Sequence, residues 1–208
     1  MKRYDDLLRI AGPVSRETFE RLQAFEAIFL RWAGRINLAA PSTLKDAWSR
    51  HIIDSAQLLP LAGSARHWAD IGSGGGFPGA VIAILLEEQP DSTILLIESN
   101  GKKSAFLRNA LGQLAPRARI IGDRAEAVIA AEAGPDILTA RAVAPLPDLI
   151  ALAEPWLAAK TRALFHKGRD YRTEVKLAGD TWNLDLVEHA SAVDTQSVIL
   201  DISGVRRA

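Results

Sequence analysis

The run Asp70-Ile71-Gly72-Ser73-Gly74-Gly75-Gly76-Phe77-Pro78-Gly79 places five glycines in eight residues, after a short apolar stretch and before a longer one. Glycines at such a junction let the backbone bend sharply and let a ligand lie against the main chain. Two nucleotide-type ligands compete for this geometry. A dinucleotide loop follows G-x-G-x-x-G, and Gly72 and Gly74 supply its first two positions, but the third is the bulky Phe77. The glycines instead spell G-x-G-x-G over Gly72, Gly74 and Gly76, with Asp70 just ahead. A carboxylate beside the loop repels a pyrophosphate and suits a cationic ligand such as S-adenosylmethionine, which carries an ammonium and a sulfonium. The pattern favours S-adenosylmethionine over NAD. Glu98 lies roughly 25 residues beyond the loop, where a carboxylate can accept from both ribose hydroxyls or stand as a solvated strand end. Asp123-Arg124-Ala125-Glu126 falls where the adenine edge would lie, and Asp123 also suits the cap of a short helix.

These residues need a scaffold of alternating strands and helices. His67–Ile71 reads as a buried strand and Pro78–Glu88 as a helix, followed by strand Ser92–Ile97 and helix Lys102–Leu114. Strand Arg119–Ile121, helix Ala125–Ala131, strand Asp136–Thr139, helix Leu146–Leu157 and strand Ala163–His166 continue the alternation. Such an order implies parallel pairing with right-handed crossovers, a doubly wound α/β sheet. Trp182–Glu188 and Val198–Ile202 alternate apolar and polar residues and read as an antiparallel hairpin added at the sheet edge. Ahead of the sheet, residues 1–62 read as a helical cap. Phe19, Leu22, Phe25, Phe29 and Trp32 recur at helical spacing, Ser15 suits the N-cap, and Pro41 starts a further helix through Leu44, Ala47, Trp48 and Ile52. Residues 63–208 complete one compact unit.

Composition narrows the chemistry. Among the 208 residues there is no cysteine, which excludes disulfides, a thiolate nucleophile, Cys-ligated zinc and iron–sulfur clusters. Lys and Arg number 25 against 25 Asp and Glu, so bulk positive charge cannot drive nucleic-acid binding, although a local patch still can. The opening Met1-Lys2-Arg3-Tyr4-Asp5-Asp6 turns acidic where a signal peptide runs apolar, and the run Ala80–Leu86 falls far below the ~20 residues of a membrane span. The expectation is a cytoplasmic protein with no membrane partner and no metal.

The chain as a whole resembles the RsmG (GidB) family, the bacterial 16S ribosomal RNA guanine-N7 methyltransferases. The resemblance is carried in order by Trp32–Leu38, Arg50-His51-Ile52-Ile53-Asp54-Ser55, the Asp70–Gly79 loop, Glu98-Ser99 before Lys102-Lys103, Arg124-Ala125-Glu126, Arg141–Leu146 and Lys167-Gly168. It implies a class I methyltransferase fold and S-adenosylmethionine as methyl donor, held by Gly72, Phe77, Ala125, Glu126 and Arg141 beside Asp70, Gly74 and Glu98. Arg141 would pair with the methionine carboxylate, and its alanine variant would abolish methylation with the fold intact. The target implied is a guanine of 16S ribosomal RNA, position 527 in the 530 loop, giving 7-methylguanosine and S-adenosylhomocysteine. Two departures from the family stand out: Gly75 where alanine is common, and Asn37-Leu38-Ala39-Ala40 with alanine where threonine is usual.

Guanine N7 carries an in-plane lone pair, so attack on a sulfonium methyl needs no general base, and no single catalytic residue is singled out. RNA binding at zero net charge requires local patches: Lys102, Lys103 and Arg108 on one helix, Lys167, Arg169 and Arg172 after the fifth strand, and Arg31, Arg35 and Arg50 from the cap. His51 and Asp54 either contact the target or pin the cap to the sheet, with pinning favoured. The partner is then 16S ribosomal RNA or the small subunit, and the chain a monomer. A small-molecule or protein methyltransferase using the cap as a lid, and a non-catalytic module docking on ribosomes, are the remaining readings.

Overall fold

The computed structural model describes residues 2–208; Met1, the first residue of the expected cap, lies outside them. Helices α1 (Lys2–Ala11) and α2 (Arg16–Ala33) open the chain. Ser15 caps α2, its Oγ accepting from Thr18 N at 3.1 Å, and α2 turns Leu22, Phe25 and Phe29 inward. The stretch after Pro41 departs from the expected α-helix. It begins as a 3₁₀ turn (Pro41–Asp46) and relaxes into a π-helix (Trp48–Ile53) before the short helices α3 (Asp54–Ala56) and α4 (Leu58–Leu61). The wider π turn buries Trp48, His51, Ile52 and Ile53 together. π turns of this kind frequently mark functional sites.

Next come β1 (His67–Ile71), α5 (Gly79–Leu86), β2 (Thr93–Ile97), α6 (Gly101–Leu114), β3 (Arg119–Ile121), α7 (Ala125–Ala131), β4 (Ile137–Arg141), α8 (Leu146–Leu157) and β5 (Arg162–Lys167). Helix α9 (Tyr171–Gly179) lies in a stretch to which the sequence pattern assigned no element, only the basic residues Lys167, Arg169 and Arg172, and β6 (Trp182–Ala190) with β7 (Val198–Arg207) ends the chain. The seven strands run in the order β3-β2-β1-β4-β5-β7-β6. Strands β1 to β5 are parallel, and β7 inserts antiparallel between β5 and β6. The order reverses at β1, so the crevice beyond the carboxyl ends of β1 and β4 is the natural ligand position.

Every residue of α5 is buried. A helix apolar all round needs cover on both sides. The sheet supplies one side. The cap supplies the other, and Phe25, Phe29, Trp48 and Ile52 share one apolar cluster with Val81, Ile84 and Leu96. That packing places the π-helix directly over the crevice. No helix among the described residues is long and apolar enough to cross a membrane.

Candidate active site

A cleft of about 390 Å³ opens over the carboxyl ends of β1, β2 and β3, lined by Gly72, Glu98, Ala125, Glu126, Val143 and Leu152 among others. Glu98 is 7% exposed. Its Oε2 accepts from Gly74 N at 2.8 Å and its Oε1 from Asn100 N at 2.7 Å, so one carboxylate ties the glycine loop to the start of α6. Each oxygen keeps a further lone pair for a ligand donor. The walls formed by Ala125, Val143 and Leu152 are apolar, as a flat heterocycle requires. Gly72 has φ +65°, and a Cβ there would sit 2.7 Å from Val143 Cγ2. Only glycine keeps both this backbone turn and the close approach of Val143. These features fit the adenosine half of S-adenosylmethionine. Asp123 does not cap α7 as expected: its Oδ1 accepts from Arg124 N at 2.7 Å, and Arg124 holds the N-cap position without a side-chain bond.

Asp70 occupies a different place from the one its position suggested. It is fully buried, with Oδ1 accepting from Thr139 Oγ1 at 2.7 Å and Oδ2 from Gly79 N at 3.1 Å, and it lines none of the three clefts at this end of the sheet. It therefore joins β1 to β4 and to the start of α5, and shapes the loop from beneath rather than facing a cation. Burial pushes its carboxyl up to about 6, against the pull of the hydrogen bonds from Thr139, Ser73 and Gly79.

A second cleft, about 370 Å³, shares Gly72 with the first, takes in Gly74, and is walled by Phe77, His51, Asp54 and Arg141. Arg141 Nη1 donates to Asp54 Oδ2 at 3.0 Å and to Arg50 O at 3.3 Å, and Nη2 donates to His51 Nδ1 at 2.9 Å. The guanidinium lies 5.3 Å from the centroid of Phe77, on which the His51 ring stacks at 4.7 Å. A guanidinium only donates, so His51 Nδ1 carries the lone pair and Nε2 the proton. Nε2 donates to Thr43 Oγ1 at 2.9 Å, and Thr43 donates to Ala40 O at 2.8 Å. Burial, reinforced by Arg141, lowers the His51 pKa to about 4. Burial also pulls the pKa of Arg141 down, with Asp54 opposing.

His51 and Asp54 thus bind Arg141 and pin the cap to β4, while their edges still line the cleft. The expectation that Arg141→Ala leaves the fold intact does not fit this geometry: its removal takes the guanidinium from a buried carboxylate whose remaining short bond is from Gln57 Nε2 to Oδ1 at 2.7 Å. Ala142, the next residue, has φ +56°, a left-handed turn at a non-glycine position that bends the chain out of β4 toward the clefts. Neither this turn nor the Thr43 link has a local sequence signature.

The basic residues divide. Lys103 and Arg50 line the second cleft, and Lys102 and Arg108 are exposed on α6. Arg169 is exposed and donates to Gln196 Oε1. Lys167 is not a surface phosphate contact: it is 9% exposed, and its Nζ donates to Ala144 O and Glu174 Oε2, both at 2.7 Å.

Comparison with known proteins follows the same line. The family model described as rRNA small subunit methyltransferase G (GidB) matches residues 18–201. The chain is 53% identical over 206 residues to the ribosomal RNA small subunit methyltransferase G of Chelativorans sp. (strain BNC1), covering 99% of this chain and 98% of the relative. It is 54% identical over 205 residues to that of Brucella anthropi, covering 99% and 96%. Among solved structures, magnesium protoporphyrin IX methyltransferase from Synechocystis PCC 6803 with bound SAM aligns at a TM-score of 0.58 and 15% identity, covering 93% of this chain and 99% of that one. Aeropyrum pernix fibrillarin with natively bound S-adenosyl-L-methionine aligns at 0.56 and 16%, covering 74% and 75%. These structures share the fold: a mostly parallel, Rossmann-like methyltransferase sheet with the antiparallel hairpin at its end.

Proposed function

The chain belongs to the GidB family, rRNA small subunit methyltransferase G, and from that premise we infer that it transfers a methyl group from S-adenosylmethionine to N7 of a guanine in 16S ribosomal RNA, giving 7-methylguanosine and S-adenosylhomocysteine. The observation that carries this reading is a nucleoside-sized cleft with Glu98 at its base, joined through the glycine loop to a second cleft around Arg141.

When bound, S-adenosylmethionine supplies an electrophilic methyl group. Glu98 offers two carboxylate oxygens to ribose hydroxyls, Gly72 stands between the clefts with Gly74 on the side of the second, and Ala125 with Glu126 borders the adenine side. Arg141 lines the second cleft and keeps N–H donors beyond those given to Asp54, Arg50 and His51, which a ligand carboxylate could take. Its three cap contacts hold it in one orientation. Attack by the N7 lone pair needs no deprotonation and no Lewis acid, so the step calls for neither a general base nor a metal. His51 is unsuited to act as a base, because Arg141 occupies its only lone pair. The protein's contribution is alignment, which alone is worth several kcal/mol.

The target position in the 530 loop, action as a monomer in the cytoplasm, and phosphate contacts through Lys102, Lys103 and Arg169 belong to the same reading. Transfer of tritiated methyl from S-adenosylmethionine to naked 16S ribosomal RNA, intact small subunits and ribosomal protein tests it. Label in the RNA supports the reading. Label confined to protein or to a small molecule, or no transfer, contradicts it.

A further inference from the structure

A third cleft, about 430 Å³, lies beyond Arg141 between the turn Ala142–Pro145 and the junction of β5 with α9. It holds a charged pair that methyl transfer itself leaves unused. Glu174 Oε2 accepts from Lys167 Nζ at 2.7 Å and from Leu146 N at 2.6 Å, while Oε1 has no partner among the described residues. Lys167 spends two of its three N–H groups on Ala144 O and Glu174. One free donor therefore stands beside one free acceptor. Val143, at 38% exposed, and Pro145 add an apolar surface to the same cleft.

The chemistry of this pair selects its ligand. A phosphate is disfavoured, because the carboxylate cancels the ammonium charge. The Watson–Crick edge of guanine presents the acceptor O6 next to the donors N1–H and N2–H₂, the complement of an ammonium beside a carboxylate oxygen. Adenine places an amino donor where Lys167 needs an acceptor. N7 is not part of that edge and stays free. The cleft shares Asp54, Arg141 and Ala142 with the second cleft and Val143 and Ala144 with the nucleoside cleft, so a base seated here lies next to both.

We propose that, once the target guanine has left its stack, Lys167 donates to its O6 and Glu174 Oε1 accepts from N1–H and N2–H₂ together, so that the pair sets the base specificity of the enzyme. The proposal rests on the guanine-N7 reading above. A site built to hydrogen-bond a substrate N–H rejects the analogue that lacks it, because its own polar groups are then left unpaired.

The test uses small subunits reconstituted with 16S ribosomal RNA carrying either guanosine or inosine, which lacks N2, at the methylated position. The wild-type enzyme should show kcat/KM about tenfold or more lower on inosine. In Glu174→Gln, Lys167 and Leu146 N claim the amide oxygen and leave its NH₂ group where the free acceptor was. That variant should fall by a similar factor on guanosine and lose the guanosine–inosine difference, while its affinity for S-adenosylmethionine by calorimetry stays unchanged. Equal rates on the two bases by the wild-type enzyme, or an undiminished ratio in Glu174→Gln, would overturn the proposal. No transfer to guanosine subunits by the wild-type enzyme would instead overturn the functional reading, and the proposal with it.

Discussion

Arg141 at the end of β4 and His51 in the π-helix meet at 2.9 Å, and because the guanidinium can only donate, this contact fixes the histidine tautomer. The cap and the methyl-transfer crevice are therefore one hydrogen-bonded unit, running from Asp54 through Arg141 and His51 to Thr43.

Arg141→Ala should cost stability as well as activity. Removing the guanidinium leaves the Asp54 carboxylate buried without its main partner, a loss of about 3 kcal/mol in urea denaturation. Adding Asp54→Asn to Arg141→Ala should recover part of that loss, with a coupling of roughly 1–2 kcal/mol. Strict additivity of the two changes would show that the pair does not hold the cap.

His51 makes stability depend on pH in a definite direction. Its folded pKa of about 4 lies below the ordinary histidine value of 6.5, so the unfolded chain binds the proton more readily. The contribution of the neutral ring is complete above pH 6.5 and is lost as pH falls through 6.5 toward 4. Asp70, raised to about 6, acts with the opposite sign: its contribution is present at low pH and is lost as pH rises through 6. Comparison of wild type with His51→Gln cancels Asp70. The stability difference should shrink by roughly 2–3 kcal/mol between pH 7 and pH 4. A difference independent of pH would exclude a neutral, buried His51.

Glu98→Ala should weaken S-adenosylmethionine binding about 10- to 100-fold in calorimetry, since it removes both ligand acceptors and the tie between Gly74 and Asn100. Unchanged affinity would move the ribose elsewhere.

Gly75→Ala should destabilise the protein by about 1–3 kcal/mol in thermal or urea unfolding. A Cβ there would meet the Leu38 carbonyl oxygen at 2.7 Å and Phe29 Cε2 at 3.3 Å. Gly75, one departure from the family pattern, thus packs against the backbone of Leu38, which immediately precedes the alanines of the other. A neutral effect would mean that the cap segment moves aside without cost.

Much of this could be read from the sequence because it is local. The glycine loop, the Ser15 cap, the alternating strands and helices and the edge hairpin each rest on neighbouring residues. What escaped was set by distant partners. Asp54 and His51 meet Arg141 from 87 and 90 positions away, and no spacing rule reports that. Leu44, Ala47, Trp48 and Ile52 are compatible with an ordinary helix, so the change from 3₁₀ to π winding left no trace in the pattern. Helix α9 buries only Tyr171 and Ala178, too narrow an apolar stripe to signal itself, and without it Lys167 looked like a surface charge rather than the partner of Glu174. Asp70 was placed correctly in the chain, but its side chain is taken by Thr139 and Gly79, which sequence order alone does not show.

The most direct measurement incubates small subunits lacking the modification with the protein and S-adenosylmethionine, then applies borohydride reduction and aniline scission, which cleave RNA at 7-methylguanosine. The account predicts cleavage of 16S ribosomal RNA at a single guanine in the 530 loop, dependent on both protein and methyl donor. Methyl incorporation that resists scission, or scission at another site, would contradict it.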